Sequence, residues 1–143
     1  MKTVNIYLIF DGQCEAAFNF YREVIGGEFA GISRYKDAPE DTSKPVSPEY
    51  RERIMHIALP VSNETMLMGG DGGEGWTERH ITGNNFSVSI STDSKENADE
   101  IFNGLSKGGI VNMPMTSTFW GDYFGMVTDK FGVNWMVSFS QSR

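Results

Sequence analysis

Hydrophobic residues recur at two different periods along this chain, and the switches between them mark its elements. Val4, Ile6, Leu8 and Phe10 fall on one face by period two, which predicts a strand over Val4–Phe10. Asp11-Gly12 is turn chemistry. From Gln13 to Ile25 the spacing changes to three and four. Ala17, Phe20, Tyr21 and Val24 then share one face of an amphipathic helix, and Gly26-Gly27 ends it. Glu28–Lys36 reads as a second strand. Asp37–Glu52 carries Pro39, Pro45 and Pro48 and reads as a polar loop, long for a compact domain and suited to a lid. Arg53–Leu59 and Glu64–Gly69 read as a hairpin turning near Val61-Ser62-Asn63. Gly70–Gly83 reads as a glycine-rich connection.

The pattern then begins again. Phe86–Ser91 alternates strictly, Asp93 or Ser94 is placed to cap a helix, and Ser94–Lys107 carries Ala98, Ile101, Phe102 and Leu105 on its apolar face. Gly108-Gly109 ends this helix. Strands are expected over Ile110–Met115, Tyr123–Thr128 and Val133–Phe139, with Asp129-Lys130-Phe131-Gly132 as the last turn. An offset of 82 residues, the separation of Asp11 and Asp93, carries the first strand and helix onto the second without a gap. Ala16 then meets Ala98, Phe20 meets Phe102, and Gly26-Gly27 meet Gly108-Gly109. One repeat this long signals a duplicated module rather than a solenoid. Each half is therefore β-α-β-β-β, with modules at about residues 1–70 and 84–143 making one domain.

Composition narrows the chemistry. A chain of 143 residues can bury a real core, and one cysteine, Cys14, allows no internal disulfide. There is no CxxC pair for zinc, and two histidines, His56 and His80, cannot build a multi-histidine site. A formal net charge of −7 argues against nucleic acid or an anionic membrane surface as partner. No segment approaches the length of a membrane helix, and Val4–Phe10 is too short and polar for a signal-peptide core. The expected setting is soluble and cytoplasmic.

A family resemblance rests on several segments. They are Tyr7-Leu8-Ile9-Phe10-Asp11-Gly12, Ala16-Ala17-Phe18 and Phe20-Tyr21 running to Gly26-Gly27, then Ile54-Met55-His56 and Leu67-Met68. Phe119-Trp120-Gly121-Asp122 and Asp129-Lys130-Phe131-Gly132-Val133-Asn134-Trp135 complete the set. In these the chain resembles the vicinal oxygen chelate superfamily of glyoxalase I, bleomycin-resistance proteins and extradiol dioxygenases, and within it the PhnB-like branch. The resemblance implies an α+β fold in which two βαβββ modules form a curved mixed sheet around a cup. It also implies a homodimer.

Metal-dependent members of that superfamily place four ligands in the cup, one from the first and one from the fourth strand of each module. Carried onto this chain, those positions fall at Met136, near Leu67, and at Asn5 and Asn85, or Val4 and Phe86 in the alternative register. Neither register supplies a hard donor set, so no metal and no cofactor are expected. Some relatives carry a methyltransferase label, but nothing in the sequence resembles a nucleotide-type cofactor site. The expected partner is a small, partly polar molecule held in the cup. The other reading is a metal-dependent lyase, isomerase or dioxygenase using a non-standard set such as His56 with carboxylates. A third is a scaffold dimer whose cup is unused.

Strand parity names the groups facing the cup: Asn5, Tyr7, Ser87, Ser89, Asn134, Met136 and Ser138 oppose the helix-facing Ile6, Leu8, Val88, Ile90, Trp135 and Val137. His56 lies opposite Met55, Ile57 and Leu59. It is the best candidate for a general base or ligand-orienting group, or else an ordinary hydrogen-bonded strand histidine. Phe119 and Trp120 can stack on a ligand, close a dimer interface or cap the core. Asp122 can accept a hydrogen bond from a ligand or cap its turn. The ligand-binding candidates are therefore Tyr7, His56, Ser87, Phe119, Trp120, Asp122 and Met136. His80, Glu15 and Glu23 read as solvated. Cys14 sits at a helix start, which can lower a thiol pKa. Gly69–Gly75 lacks the Gly-Lys-Ser/Thr ending of a phosphate loop, and Asp71 and Glu74 would repel phosphate.

Overall fold

The computed structural model describes residues 2–39 and 45–141. The chain divides into two compact units, one ending at Ile81 and the other starting at Thr82. The glycine-rich connection thus belongs mainly to the first unit. The first contains β1 (Ile6–Phe10), α1 (Cys14–Ile25), β2 (Gly31–Arg34), a short α2 (Pro48–Arg51), β3 (Ile54–Pro60) and β4 (Met66–Asp71). The second contains β5 (Val88–Ser91), α3 (Lys95–Ser106), β6 (Ile110–Ser117), β7 (Asp122–Thr128) and β8 (Asn134–Ser140). Each unit is one four-stranded mixed sheet, in the order β1-β4-β3-β2 or β5-β8-β7-β6. The first and last strands of each run parallel, and the remaining pairs are antiparallel. The α+β class and the βαβββ repeat are those expected.

Both helices bury the face that their periodicity predicts. Ala17, Phe18, Phe20 and Tyr21 are buried on α1, and Ala98, Ile101, Phe102 and Leu105 on α3. Beneath α1 lie Leu8 and Phe10, whose ring meets Phe18 edge-on at 6.4 Å. In the second unit Val88, Val127, Trp135 and Val137 form the equivalent layer. Of the two cap candidates, Ser94 is the one used: its Oγ accepts the Asn97 N–H at 3.0 Å. Helix α1 has no such side chain at Gln13. The N–H of its first residue, Cys14, is instead taken by Asp71, reaching in from the end of β4.

Several boundaries differ from the sequence expectation. The second strand spans only Gly31–Arg34. The chain then tightens into a 3-10 turn over Tyr35–Asp37, where the Asp37 carboxylate accepts the Arg34 N–H at 2.8 Å. The loop expected over Asp37–Glu52 contains the helical turn Pro48–Arg51, with proline at its first position as sterics favour. Residues 40–44 of that segment lie outside the described residues, and its reading as a lid is untouched by the fold. The fifth strand starts at Val88 rather than Phe86. Strand β6 runs on to Ser117 with Pro114 inside it, which is tolerated because β6 is an edge strand.

The largest difference is at Gly69-Gly70. Gly69 lies in the strand expected there, but Gly70 and Asp71, expected to open the connection, are the last two residues of β4. A Cβ at Gly69 would stand 2.7 Å from the Leu8 carbonyl oxygen and from the Phe18 ring. These glycines exist to let β1, β3 and α1 approach the strand closely.

Candidate functional site

In each sheet, the alternation that sends one set of side chains under the helix leaves the other set on an open face. In the first unit Leu8, Phe10, Leu67 and Gly69 are buried, while Tyr7 and Ile9 are 46% and 45% exposed. Met68 lies beside Tyr7 and Gly70 beside Ile9 in the parallel register. Strand β3 carries an extra residue: Ser33 pairs with His56 but Arg34 with Ile54, which leaves Met55 in a bulge. His56 faces the open side by alternation from the buried Ile57, and the bulge brings Ile54 to the buried side as well.

Tyr7 and His56 meet there. Their rings stack at 5.7 Å between centroids, with 29° between planes. The Tyr7 hydroxyl lies 3.4 Å from His56 Nδ1 and 3.4 Å from the Met55 carbonyl, both at the long limit of hydrogen bonding. A Cβ on Gly70 would come within 3.1 Å of that hydroxyl, so glycine makes room for it. Burial, with a smaller contribution from Cys14, raises the Tyr7 pKa above 10.0. The phenol therefore remains a donor at neutral pH.

The second unit carries a different surface. A hollow of about 280 Å³ is lined by Asn84, Ser87, Asn112, Met126, Thr128 and Asn134, over Val127 and Trp135. Its amides and hydroxyls are already wired in series. The Asn112 amide donates to Thr128 Oγ1 at 2.9 Å, Thr128 Oγ1 to Asn134 Oδ1 at 2.6 Å, and Asn134 Nδ2 to the Phe86 carbonyl at 3.5 Å. Every lining group is uncharged. Met136 stands in the same sheet between Ser89 and Met126. Ser87 is thus part of a hollow, and Met136 a neighbouring strand position.

Phe119, Trp120 and Asp122 form a separate cluster at the β6–β7 turn. Phe119 is 97% exposed and packs edge-on against Trp120 at 5.0 Å. The Trp120 indole donates to Asp122 Oδ2 at 3.1 Å. The Asp122 carboxylate is therefore engaged within its own turn. None of the three lines the hollow around Ser87.

Two buried carboxylates, Asp71 and Asp129, went unrecognised in the sequence: Asp71 ties distant segments of the first unit, and Asp129 ties its own turn to Trp135 in the second. Asp71 Oδ1 accepts the Gly12 and Cys14 N–H groups at 2.8 and 3.0 Å, and its Oδ2 accepts the Ile54 N–H at 3.0 Å. Asp129 Oδ1 accepts the Phe131 and Val133 N–H groups at 2.8 and 3.0 Å, and its Oδ2 accepts the Trp135 indole at 2.9 Å. Both are structural anchors. The only sequence signal was position: Asp71 stands between Gly70 and Gly72, and Asp129 opens the turn that ends at Gly132. Cys14 is fully buried, and burial, followed by Asp71 and Glu15, pushes its thiol pKa well up rather than down. His80 is half-buried and accepts the Trp76 indole N–H at 3.0 Å, rather than being freely solvated.

The superfamily's metal finds no fitting donor set on these faces. Leu67, near which one ligand position was carried over, points under the helix and is buried. Register makes Met68 the counterpart of Met136, because Tyr7 pairs with Met68 as Ser89 pairs with Met136. Asn85 lies before β5 and is exposed, and the Asn5 side chain accepts the Met66 N–H at 3.3 Å. Thioethers, a phenol and a serine hydroxyl are poor ligands for a divalent catalytic metal. Among the described residues no three His, Cys, Asp or Glu side chains converge as metal ligands. No helix among them is long and apolar enough to cross a membrane.

Known proteins show the same architecture. The crystal structure of protein PA1353 from Pseudomonas aeruginosa is 35% identical, covers 99% of both chains and superposes with a TM-score of 0.82. A putative 3-demethylubiquinone-9 3-methyltransferase, PhnB protein, from Bacillus cereus is 25% identical over 97% of this chain and 100% of that one, with a TM-score of 0.74. A glyoxalase/bleomycin resistance/dioxygenase family enzyme from Burkholderia phytofirmans shares the fold at 16% identity, covering 96% of each chain with a TM-score of 0.58. The family model described as 3-demethylubiquinone-9 3-methyltransferase matches residues 2–138. Nearly the whole chain is accounted for by that match, and this protein belongs to that PhnB-like family, on a fold shared with glyoxalase and bleomycin-resistance proteins.

Proposed function

We propose that this chain binds a small, uncharged, hydrogen-bonding molecule on the open face of its second sheet, without the metal used elsewhere in the superfamily. One observation carries the reading: a hollow of about 280 Å³ whose polar lining is made only of amides and hydroxyls. That size is just below the usual range for small-molecule sites, which starts at about 300 Å³. Serine and asparagine there offer both donors and acceptors without the desolvation cost of a charge. Thermal-shift measurements with a panel of small amides and polyols test the reading. Stabilisation by members of the panel, lost in Ser87→Leu, is the expected result. No stabilisation, or stabilisation unchanged in Ser87→Leu, overturns it. Stoichiometric divalent metal in protein purified without a tag overturns the metal-free part.

A second reading, catalysis of glyoxalase type, is favoured by the contact of Tyr7 with His56 on the first sheet. An imidazole on an exposed face beside a protonated phenol is an acid–base pair by type. It predicts that His56→Ala removes turnover of a reactive carbonyl substrate while leaving the fold intact.

A further inference from the structure

The first unit contains a hollow that neither reading uses. It measures about 340 Å³ and is lined by Tyr35, Pro45, Val46, Tyr50, Gly73 and Glu74. We propose that it is a binding site for a small organic cation, a quaternary ammonium or a protonated amine.

The wall combines two phenol rings with one carboxylate and aliphatic carbon, and among the described residues no lysine or arginine lines it. Tyrosine faces attract cations through the ring quadrupole, and more strongly where water is partly excluded. One of these rings already does so. The Arg53 guanidinium sits 4.4 Å from the Tyr50 ring centroid. Its own charge is offset by Asp11, whose carboxylate it meets at 3.0 Å. Tyr35 is held in place by donating to the Asp71 carbonyl at 2.6 Å. Its phenol stays protonated, because burial, then the Asp71 charge, raises its pKa above 10.0.

Glu74 supplies the sign. Its Oε1 accepts the Ser47 N–H at 2.6 Å, which fixes the carboxylate at the rim. The Ser47 hydrogen bonding also holds its pKa below 4.5, so it is charged at neutral pH. No lysine or arginine forms a salt bridge with it among the described residues. An anion would meet this carboxylate and a net charge of −7. A neutral apolar molecule would cover the rings but draw water from Glu74 without replacing it. An alkylated ammonium satisfies both the rings and the carboxylate.

Gly73 provides a way to close the site. A Cβ there would stand 3.5 Å from the Tyr35 hydroxyl, an ordinary contact, and its φ is not in the left-handed region. The test is calorimetric titration of the intact protein with choline and with its uncharged carbon analogue, 3,3-dimethylbutan-1-ol. Choline binding is expected, with the analogue at least about tenfold weaker, Glu74→Gln about tenfold weaker for choline, and no binding to Gly73→Leu. Glu74→Gln keeps an oxygen for Ser47, so it reports charge even if Gly73→Leu does not fold. Equal affinity for choline and its analogue, choline binding unchanged by Glu74→Gln, or no heat of binding overturns the proposal.

Discussion

Removing the Asp71 carboxylate isolates the interaction that joins four separate pieces of the first unit. It sits at the end of β4 and is 5% exposed. Its three hydrogen bonds reach the Gly12 turn, the first residue of α1 and the start of β3. A hydrogen bond to a charged acceptor contributes about 1.5–3 kcal/mol, and a buried donor left unpaired costs about 1–3 kcal/mol. The three share one carboxylate, so their effects do not add in full. Asp71→Ala is therefore expected to cost about 3–5 kcal/mol, a large part of a domain's typical ~5–15 kcal/mol. For a chain of this size that lowers Tm by about 10 °C or more. Asp71→Asn keeps one oxygen for Gly12 and Cys14 but turns an amide N–H₂ toward the Ile54 donor, so its cost is about half as large. Urea unfolding followed by both tryptophan fluorescence and far-UV circular dichroism measures the two. A loss below about 1 kcal/mol for Asp71→Ala, or an Asn variant as stable as wild type, would refute the anchor role.

Other expectations follow from the same contacts. Gly69→Ala forces a Cβ to 2.7 Å from the Leu8 carbonyl and the Phe18 ring, and is expected to cost about 1–3 kcal/mol by urea unfolding. Gly26→Ala meets nothing within 4 Å and bears only the strain of φ +94°, about 1–2 kcal/mol in the same assay. The Cys14 thiol, buried with its pKa raised, is expected to be inert to a disulfide reagent at pH 8 and to react fully once the protein is unfolded in urea. Tyr7 and Tyr35, through burial, and Tyr123, through its hydrogen bond to Asp99, have pKa values raised above 10.0. The folded state keeps these protons longer than the unfolded chain. Their contribution to stability is complete below pH 10 and is lost as pH rises through the folded pKa values, which unfolding midpoints measured from pH 9 upward will show.

Much of the candidate site was legible because strand parity is a local property. Tyr7, Ser89, Asn134 and Met136 lie on the open faces that alternation assigned to them, since a strand cannot send neighbours to the same side. His56 reached its predicted face by the same alternation, while the Met55 bulge, which the sequence did not announce, reset the side of Ile54. The position carried over near Leu67 falls in register at Met68, and one residue in a strand is the whole difference between core and open face. The Phe119–Trp120–Asp122 cluster was visible as residues, but the indole-to-carboxylate bond that occupies Asp122 was not.

By itself the sequence determined the duplicated βαβββ plan, both helix faces and the alternation of the strands, because periodicity and glycine helix ends are set by neighbours a few positions apart. Only the tertiary structure decided that the strand runs on through Gly70 and Asp71, and that at Gly69 and Gly70 the atoms of Leu8, Phe18 and Met55 leave no room for a side chain. It alone made Asp71 an anchor, brought Tyr7 to His56 across 49 positions, and set Tyr35 and Glu74 around one hollow. Those outcomes depend on which strands pair and in what register, and no local pattern encodes a partner so many residues away.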